Sequence, residues 1–186
     1  FVILVILLVL YIVHENYRRD QELMKYAQTD ALTGLYNKET TKLRTDEILS
    51  TDKDMIHAFL ILDMDCFKQI NDGYGHAVGD IVLQKFGQLL RDIFREDDIV
   101  GRIGGDEFVV VMKNIKMKEM AIAKAEELLT KTQQYEIKEL NGSAISISIG
   151  IAMAPEDGDC YMDLYKRADQ ALYQAKRSGK ARVCGY

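Results

Sequence analysis

A single proline and only 13 glycines among 186 residues leave too little compositional bias for a low-complexity or disordered chain. Cysteine is equally scarce. Cys66, Cys160 and Cys184 are odd in number and show no paired metal-ligand spacing, so they read as reduced cytosolic thiols. An excess of positive charge is missing too, since 24 basic residues face 29 acidic ones for a formal charge of -5. That balance gives no general electrostatic case for nucleic-acid binding, and no such partner is expected. A long hydrophobic run is also absent: residues Phe1 to Val13 are apolar throughout, whereas a full membrane span needs about 20 residues. Because the chain starts at Phe1 and not at Met, it is expected to be a piece of a longer protein. Phe1–Val13 would then be the inner end of a last transmembrane helix, with Arg18 and Arg19 on the cytoplasmic side of the inner membrane and the remainder in the cytoplasm. A buried soluble helix and a signal-peptide core compete with that reading, but the second lacks a basic start and a small-residue cleavage site.

What the chain does have is 48% hydrophobic content, enough to bury a core for one domain, and two acidic clusters at the ends of apolar runs. Gly104-Gly105-Asp106-Glu107-Phe108 joins Ile99–Ile103 to Phe108–Met112 and is expected to form a hairpin. Glycine leaves the turn backbone open to a polyphosphate, and the two acids offer the oxygen ligands that Mg²⁺ prefers. Acidic hairpin turns are common on surfaces, so a second cluster is needed. It lies upstream, where Ala58–Leu62 reads as a buried strand ending in Asp63-Met64-Asp65. An EF-hand loop starting at Asp63 is rejected, because Lys68 and Tyr74 stand where that loop needs Gly and Glu.

Between His14 and Thr29 the sequence is charged, without Gly or Pro, and is expected to continue as a helical stalk. Tyr17 and Met24, like Asp20 and Ala27, are seven apart, which makes a short and imperfect dimer seam. Asp30–Tyr36, with Gly34, interrupts it as a hinge, and Asn37 is placed to cap a helix running to about Leu49. Val82, Leu83, Phe86, Leu89, Leu90, Ile93 and Phe94 stripe a long helix, and Met120, Ala121, Ala125 and Leu128 another. Tyr135–Leu140 is expected to pair with Ser143–Met153 through an Asn141-Gly142 hairpin. Leu164, Ala168, Leu172 and Ala175 mark a last helix ended near Gly179. The order suggests an α+β layer with helices covering an antiparallel-rich sheet.

With those segments in view, the chain from about Thr29 to Tyr186 resembles a GGDEF domain, the diguanylate cyclase family that condenses two GTP into cyclic di-GMP. Five blocks match in the family's order: Asp30–Asn37, Asp63–Asp80, Arg95–Phe108, Ser146–Gly150 and Ala168–Lys176. The resemblance implies a ferredoxin-like, palm-type nucleotidyl cyclase fold preceded by an N-terminal signalling helix. Residues 1–13 would be the truncated transmembrane helix, 14–29 the stalk and 30–186 the catalytic domain. It further implies a homodimer in which each domain presents one GTP, and a Mg²⁺ or Mn²⁺ cofactor.

By the same resemblance, Asp63, Asp106 and Glu107 are the catalytic acids, with the Met64 backbone carbonyl a further metal ligand. Glu107 is a metal ligand or a proton acceptor, and the identity of the general base stays open. The alternative for Asp63 is a strand-end acid bonded to backbone amides. Substrate contacts fall on Gly104 and Gly105, on Asn71 and Asp80 at the guanine edge, and on Lys68, Lys176 and Lys180 at the triphosphate. A buried Asp80 would disfavour ATP; otherwise it is an acid near a helix N-terminus. Arg95, Asp98 and Arg102 match an inhibitory product site, for which the alternative is a surface salt bridge. Three positions depart from the family pattern: Lys180 and Lys38 stand where Arg is usual, and Ile103 where an aromatic is frequent. A noncatalytic cyclic di-GMP receptor, a mixed-purine cyclase and a structural dimerisation module are the competing functions.

Overall fold

The computed structural model describes residues 10–19, 27–142 and 144–186. Most of the expected membrane segment (residues 1–9) and the middle of the expected stalk (residues 20–26) lie outside the described residues. Residues 10–19 are helical and expose Leu10, Tyr11, Val13 and Tyr17. No helix among the described residues is long and apolar enough to cross a membrane.

The sequence patterning builds a five-stranded sheet in the order β2-β3-β1-β4-β5, with β1 His57–Met64, β2 Ile99–Arg102, β3 Glu107–Met112, β4 Ile147–Ala154 and β5 Val183–Gly185. β1 runs antiparallel to both β3 and β4; β4 and β5 are parallel. Every residue of β1 and of β4 is buried, as expected for central strands covered on both faces. Alternation along β1 then splits the core in two. Ala58, Leu60, Leu62 and Met64 face the helices α3 (His76–Ile93) and α4 (Lys118–Gln134), where Phe86 meets Phe108 edge-on at 4.9 Å. Phe59 and Ile61 face α1 (Lys38–Thr51) and α5 (Tyr161–Arg177) through Leu49, Tyr161, Leu164, Ala168 and Leu172. A short helix α2, Phe67–Tyr74, connects the end of β1 to α3.

Several expectations hold in detail. Asn37 caps α1 by accepting from the Thr40 amide at 3.0 Å, and the Gly-Gly segment is a hairpin turn between β2 and β3. The Tyr135–Leu140 strand does not form. Residues 138–140 are a 3₁₀ turn, and Ile137 and Leu140 are instead buried as anchors in the α3/α4 layer. The physical reason is that both edges of β4 are already taken, by β1 and by β5, so Asn141-Gly142 turns the chain without a strand to pair. β4 accordingly begins at Ile147.

Candidate active site

The antiparallel register of β1 and β3 sets Asp63 opposite Glu107. The Met64 amide donates to the Asp106 carbonyl at 3.2 Å, which ties the end of β1 to the glycine turn. The two acidic clusters therefore meet. Asp63 is buried, while Asp106 and Glu107 are half-buried at the rim. α5 closes the other side and delivers Lys176, whose Nζ lies 2.7 Å from Asp63 Oδ2.

Burial pushes the Asp63 carboxyl up; Lys176 pulls it back, and the charges of Asp106 and Asp65 push it up again, for a net rise. Glu107 is raised first by burial and then by Asp63 and Asp106, with Lys176 opposing. The site is thus a concentration of negative charge answered directly by the Lys176 ammonium, with Lys180 feeling the charges of Asp63 and Asp65 from farther off. Its hard carboxylate oxygens are the donor set that suits Mg²⁺ or Mn²⁺. The carboxylates are not drawn into a closed cage: among the described residues, the acidic group whose ligand atoms lie within 4.8 Å of one another is a different one, Asp159, Cys160 and Asp163. An open set fits Mg²⁺, which takes one or two carboxylates and completes its shell with phosphate and water.

α2 and α3 supply the second wall. Gly79 is buried against Asn71, and a Cβ there would collide with Asn71 Oδ1, so glycine is what lets the amide lie against α3, at the residue that precedes Asp80 in sequence. Asp80 is exposed, so the burial through which this carboxylate was expected to disfavour ATP is not met. Lys68 is exposed on α2. Lys180 sits in the turn after α5 with Nζ 3.2 Å from Cys66 Sγ, at the mouth of the β1–α2 loop. Gly105 is open, and Gly104 has the Glu107 carboxylate packed against it.

The third acid of the strand end does something else. Asp65 is buried and accepts from Ser146 Oγ (2.6 Å), Ser148 Oγ (2.7 Å) and the Ala181 amide (3.1 Å). Away from the cleft, Arg95 and Asp98 line a cavity of about 360 Å³ together with Arg91 and the hinge residues Gly34–Tyr36. The Asp98 carboxylate accepts from the Arg95 and Lys113 amides, both at 3.0 Å, and so forms a capped turn where the alternative reading had a surface salt bridge. Arg102 does not line that cavity; its guanidinium lies on Asp30 and on the Gly105 carbonyl.

Two residues of α5 carry no role in the sequence reading, although Asp169 lies within the matched Ala168–Lys176 block. Tyr165 and Asp169 share the electrostatics of Glu107, and burial, then Glu107 and Asp169, raise the Tyr165 phenol. Asp169 lies seven residues before Lys176, two turns along the same helix face, and that spacing was the available signal.

The sequence profile described as "Diguanylate cyclase, GGDEF domain" matches residues 27–182. The chain belongs to the GGDEF family. It is 36% identical over 168 residues to the diguanylate cyclase DgcS of Shewanella oneidensis, covering 89% of this chain and 55% of that protein. The solved GGDEF domain of TpbB (YfiN) from Pseudomonas aeruginosa is 35% identical with a TM-score of 0.79, covering 84% of this chain and 93% of that one. The coiled coil and GGDEF domain of DgcB from Caulobacter crescentus, solved in complex with c-di-GMP, superposes with a TM-score of 0.87 over 96% of this chain and 95% of that chain. At 24% identity it speaks for the fold alone. The chain spans about half or less of the full length of curated relatives it matches, from 23% to 55%.

Proposed function

We propose that this GGDEF domain is a diguanylate cyclase that converts two GTP into cyclic di-GMP and two pyrophosphates across a homodimer. The observation that carries this is the convergence of Asp63, Asp106 and Glu107 on Lys176, with Asn71 and Asp80 on the adjoining wall. Bound Mg²⁺ or Mn²⁺, held by Asp63, Asp106, Glu107 and the Met64 carbonyl, would neutralise charge at the phosphates. Asp80 accepts from guanine N1–H and the N2 amino group, and the Asn71 amide completes the pairing at the purine edge. Lys68, Lys176 and Lys180 carry the triphosphate as point charges. Glu107 or a neighbouring acid takes the proton of the 3′-hydroxyl as it attacks the α-phosphorus supplied by the partner domain. Product feedback falls to the cavity of Arg95 and Asp98. A stalk preceding residue 30, tethered to the inner membrane with the catalytic domain in the cytoplasm, would set how two domains face each other.

The test is product formation from GTP with Mg²⁺, resolved by chromatography and mass spectrometry, with ATP as competitor and Asp106→Ala beside the parent. Cyclic di-GMP from the parent alone supports the reading. A silent parent that still binds cyclic di-GMP, and loses that binding in Arg95→Ala, would replace it with a receptor.

A further inference from the structure

Cys160 stands at the N-cap of α5, yet its side chain caps no amide. Its Sγ donates instead to Asp163 Oδ2 at 3.3 Å, and Asp159 joins the pair, so that one ligand atom from each of the three lies within 4.8 Å of the others. The loop before α5 is built to hold them there. A Cβ at Gly158 would strike Asp163 Cβ at 2.7 Å, so glycine is what lets this loop fold back over the first turn of the helix. Behind it the buried Asp157 accepts from the Met153 amide at 2.6 Å, and the Tyr161 amide donates to Asp46 Oδ1 of α1 at 2.7 Å. Tetrahedral zinc, with bonds of about 2.0–2.3 Å, keeps its ligand atoms roughly 3.3–3.8 Å apart. Cys160 and Asp163 already have that spacing, and Asp159 is an exposed side chain free to close on them.

A buried histidine points to the same kind of ligand. Gly158 and Asp159 line a cavity of about 420 Å³ that His57, the first residue of β1, also lines. His57 is 1% exposed, and its Nε2 faces the Asp52 carbonyl at 3.4 Å. A carbonyl only accepts, so Nε2 carries the proton and Nδ1 is a bare lone pair, left without a partner. An imidazole that donates to a carbonyl through one nitrogen and has the other unpartnered is the form in which histidine ligates a metal.

We infer that Asp159, Cys160 and Asp163, with His57 Nδ1 as the fourth donor, form a site for a divalent cation of the zinc class, at the end of β1 opposite the catalytic acids. One sulfur, one imidazole nitrogen and two carboxylates suit Zn²⁺, whereas Mg²⁺ takes oxygen ligands alone. Binding replaces the thiol proton of the Sγ–H···Oδ2 contact with a sulfur–metal bond and releases that proton to solvent. The positive end of the α5 dipole opposes a cation, but a thiolate and two carboxylates outweigh it. The ion ties the start of β1 and the β4–α5 loop to the first turn of α5, the helix whose last turn carries Lys176. None of the four residues belongs to the cyclase machinery, so the site stands or falls apart from it.

The experiment titrates the reduced, metal-free protein, in excess Mg²⁺ to occupy the catalytic acids, first with Co²⁺ and then with Zn²⁺. It follows the near-ultraviolet thiolate-to-cobalt charge-transfer band in the parent, Cys160→Ser, Asp163→Asn, His57→Gln and Cys66→Ser. The parent should develop the band with one equivalent of Co²⁺ and lose it as Zn²⁺ displaces the cobalt, with a Kd for Zn²⁺ of about 1 µM or tighter. Cys160→Ser should abolish the band. Asp163→Asn and His57→Gln should each weaken Zn²⁺ binding by about 10-fold or more. Cys66→Ser, which removes the thiol beside the catalytic acids, should leave the band as it is. Circular dichroism checks that His57→Gln folds; if it does not, a paramagnetically shifted His57 ring resonance in the cobalt-loaded parent decides the same point. No band in the parent, a band that survives Cys160→Ser, or one that disappears only in Cys66→Ser would overturn the inference. So would unchanged Zn²⁺ affinity in a folded His57→Gln, or an unshifted His57 ring.

Discussion

Asp63 and Asp65 leave the end of β1 two residues apart, and the fold treats them in opposite ways. Asp65 is surrounded by donors from the start of β4, the residue before it and the C-terminal turn: Ser148, Ser146 and the Ala181 amide. Asp63 has one partner, Lys176, and faces two further acids. The same division runs through the molecule. Asp98 caps the Arg95 and Lys113 amides and Asp157 accepts from the Met153 amide at 2.6 Å, whereas Asp106 and Glu107 crowd the cleft. Carboxylates with a full set of donors hold the chain together, and those left short of donors are available for a cation and a phosphate.

The largest expected effects come from removing one acid of each kind. Asp106→Ala should abolish product formation, by about 10³-fold or more, with a Tm at or above that of the parent because crowded charge is relieved. Asp65→Ala should do the reverse and act through stability. Three donors lose their acceptor, at about 1 kcal/mol or more each, so Tm should fall by roughly 10 °C. Calorimetry on the two purified variants checks both, and an Asp65→Ala protein as stable as the parent would erase the distinction.

How much of this was legible beforehand follows from sequence distance. Strands β1, β2 and β3, the α1 cap and the acids at strand ends are local patterns, and the structure has them where the pattern put them. The partners of those acids are not local. Asp65 meets Ser146 and Ser148 from 81 and 83 positions away, and Arg102 meets Asp30 from 72. No periodicity encodes such pairs, so the Ser146–Gly150 block was matched without a role and Arg102 was assigned to the wrong neighbours in space. β5 is three residues long, too short to register as alternation, so nothing set against the Asn141-Gly142 hairpin signal showed that this edge of β4 is already taken.

Glycine makes a middle-sized test of how the cleft is held. A Cβ at Gly150 would strike the Ala168 carbonyl and the Leu172 backbone, all rigid atoms of α5, while one at Gly105 meets nothing within 4 Å. Gly150→Ala should therefore push α5 off β4, cost about 1–3 kcal/mol, and raise KM for GTP several-fold by moving Lys176 from Asp63. Gly105→Ala should leave Tm within about a degree of the parent. Equal Tm values for the two would mean that β4 and α5 are not in the close contact described.

The smallest effect carries the cleanest sign. Burial and like charge raise Glu107 above its unfolded value, so the native protein binds the extra proton, and this group favours folding below the unfolded pKa and loses that advantage as pH rises through the folded one. At neutral pH its charge is a burden, and Glu107→Gln should be slightly more stable than the parent, by under about 1 kcal/mol given its partial exposure. The gap should close as the medium is acidified to about pH 4. Asp30 runs the other way: burial alone would raise it, but hydrogen bonds from Thr33 and Arg102 outweigh burial and hold it low, so its contribution is present above the unfolded pKa and disappears as pH falls through the folded one. Asp30→Asn should accordingly be less stable than the parent at neutral pH and converge with it in acid. Mg²⁺ separates the two further, since a cation binding only the native cleft should raise the parent's Tm at neutral pH, raise that of Glu107→Gln less, and act on Asp30→Asn as on the parent. Melting curves across that pH range, with and without Mg²⁺, would contradict the division between crowded and donor-saturated carboxylates if both variants shifted in the same direction.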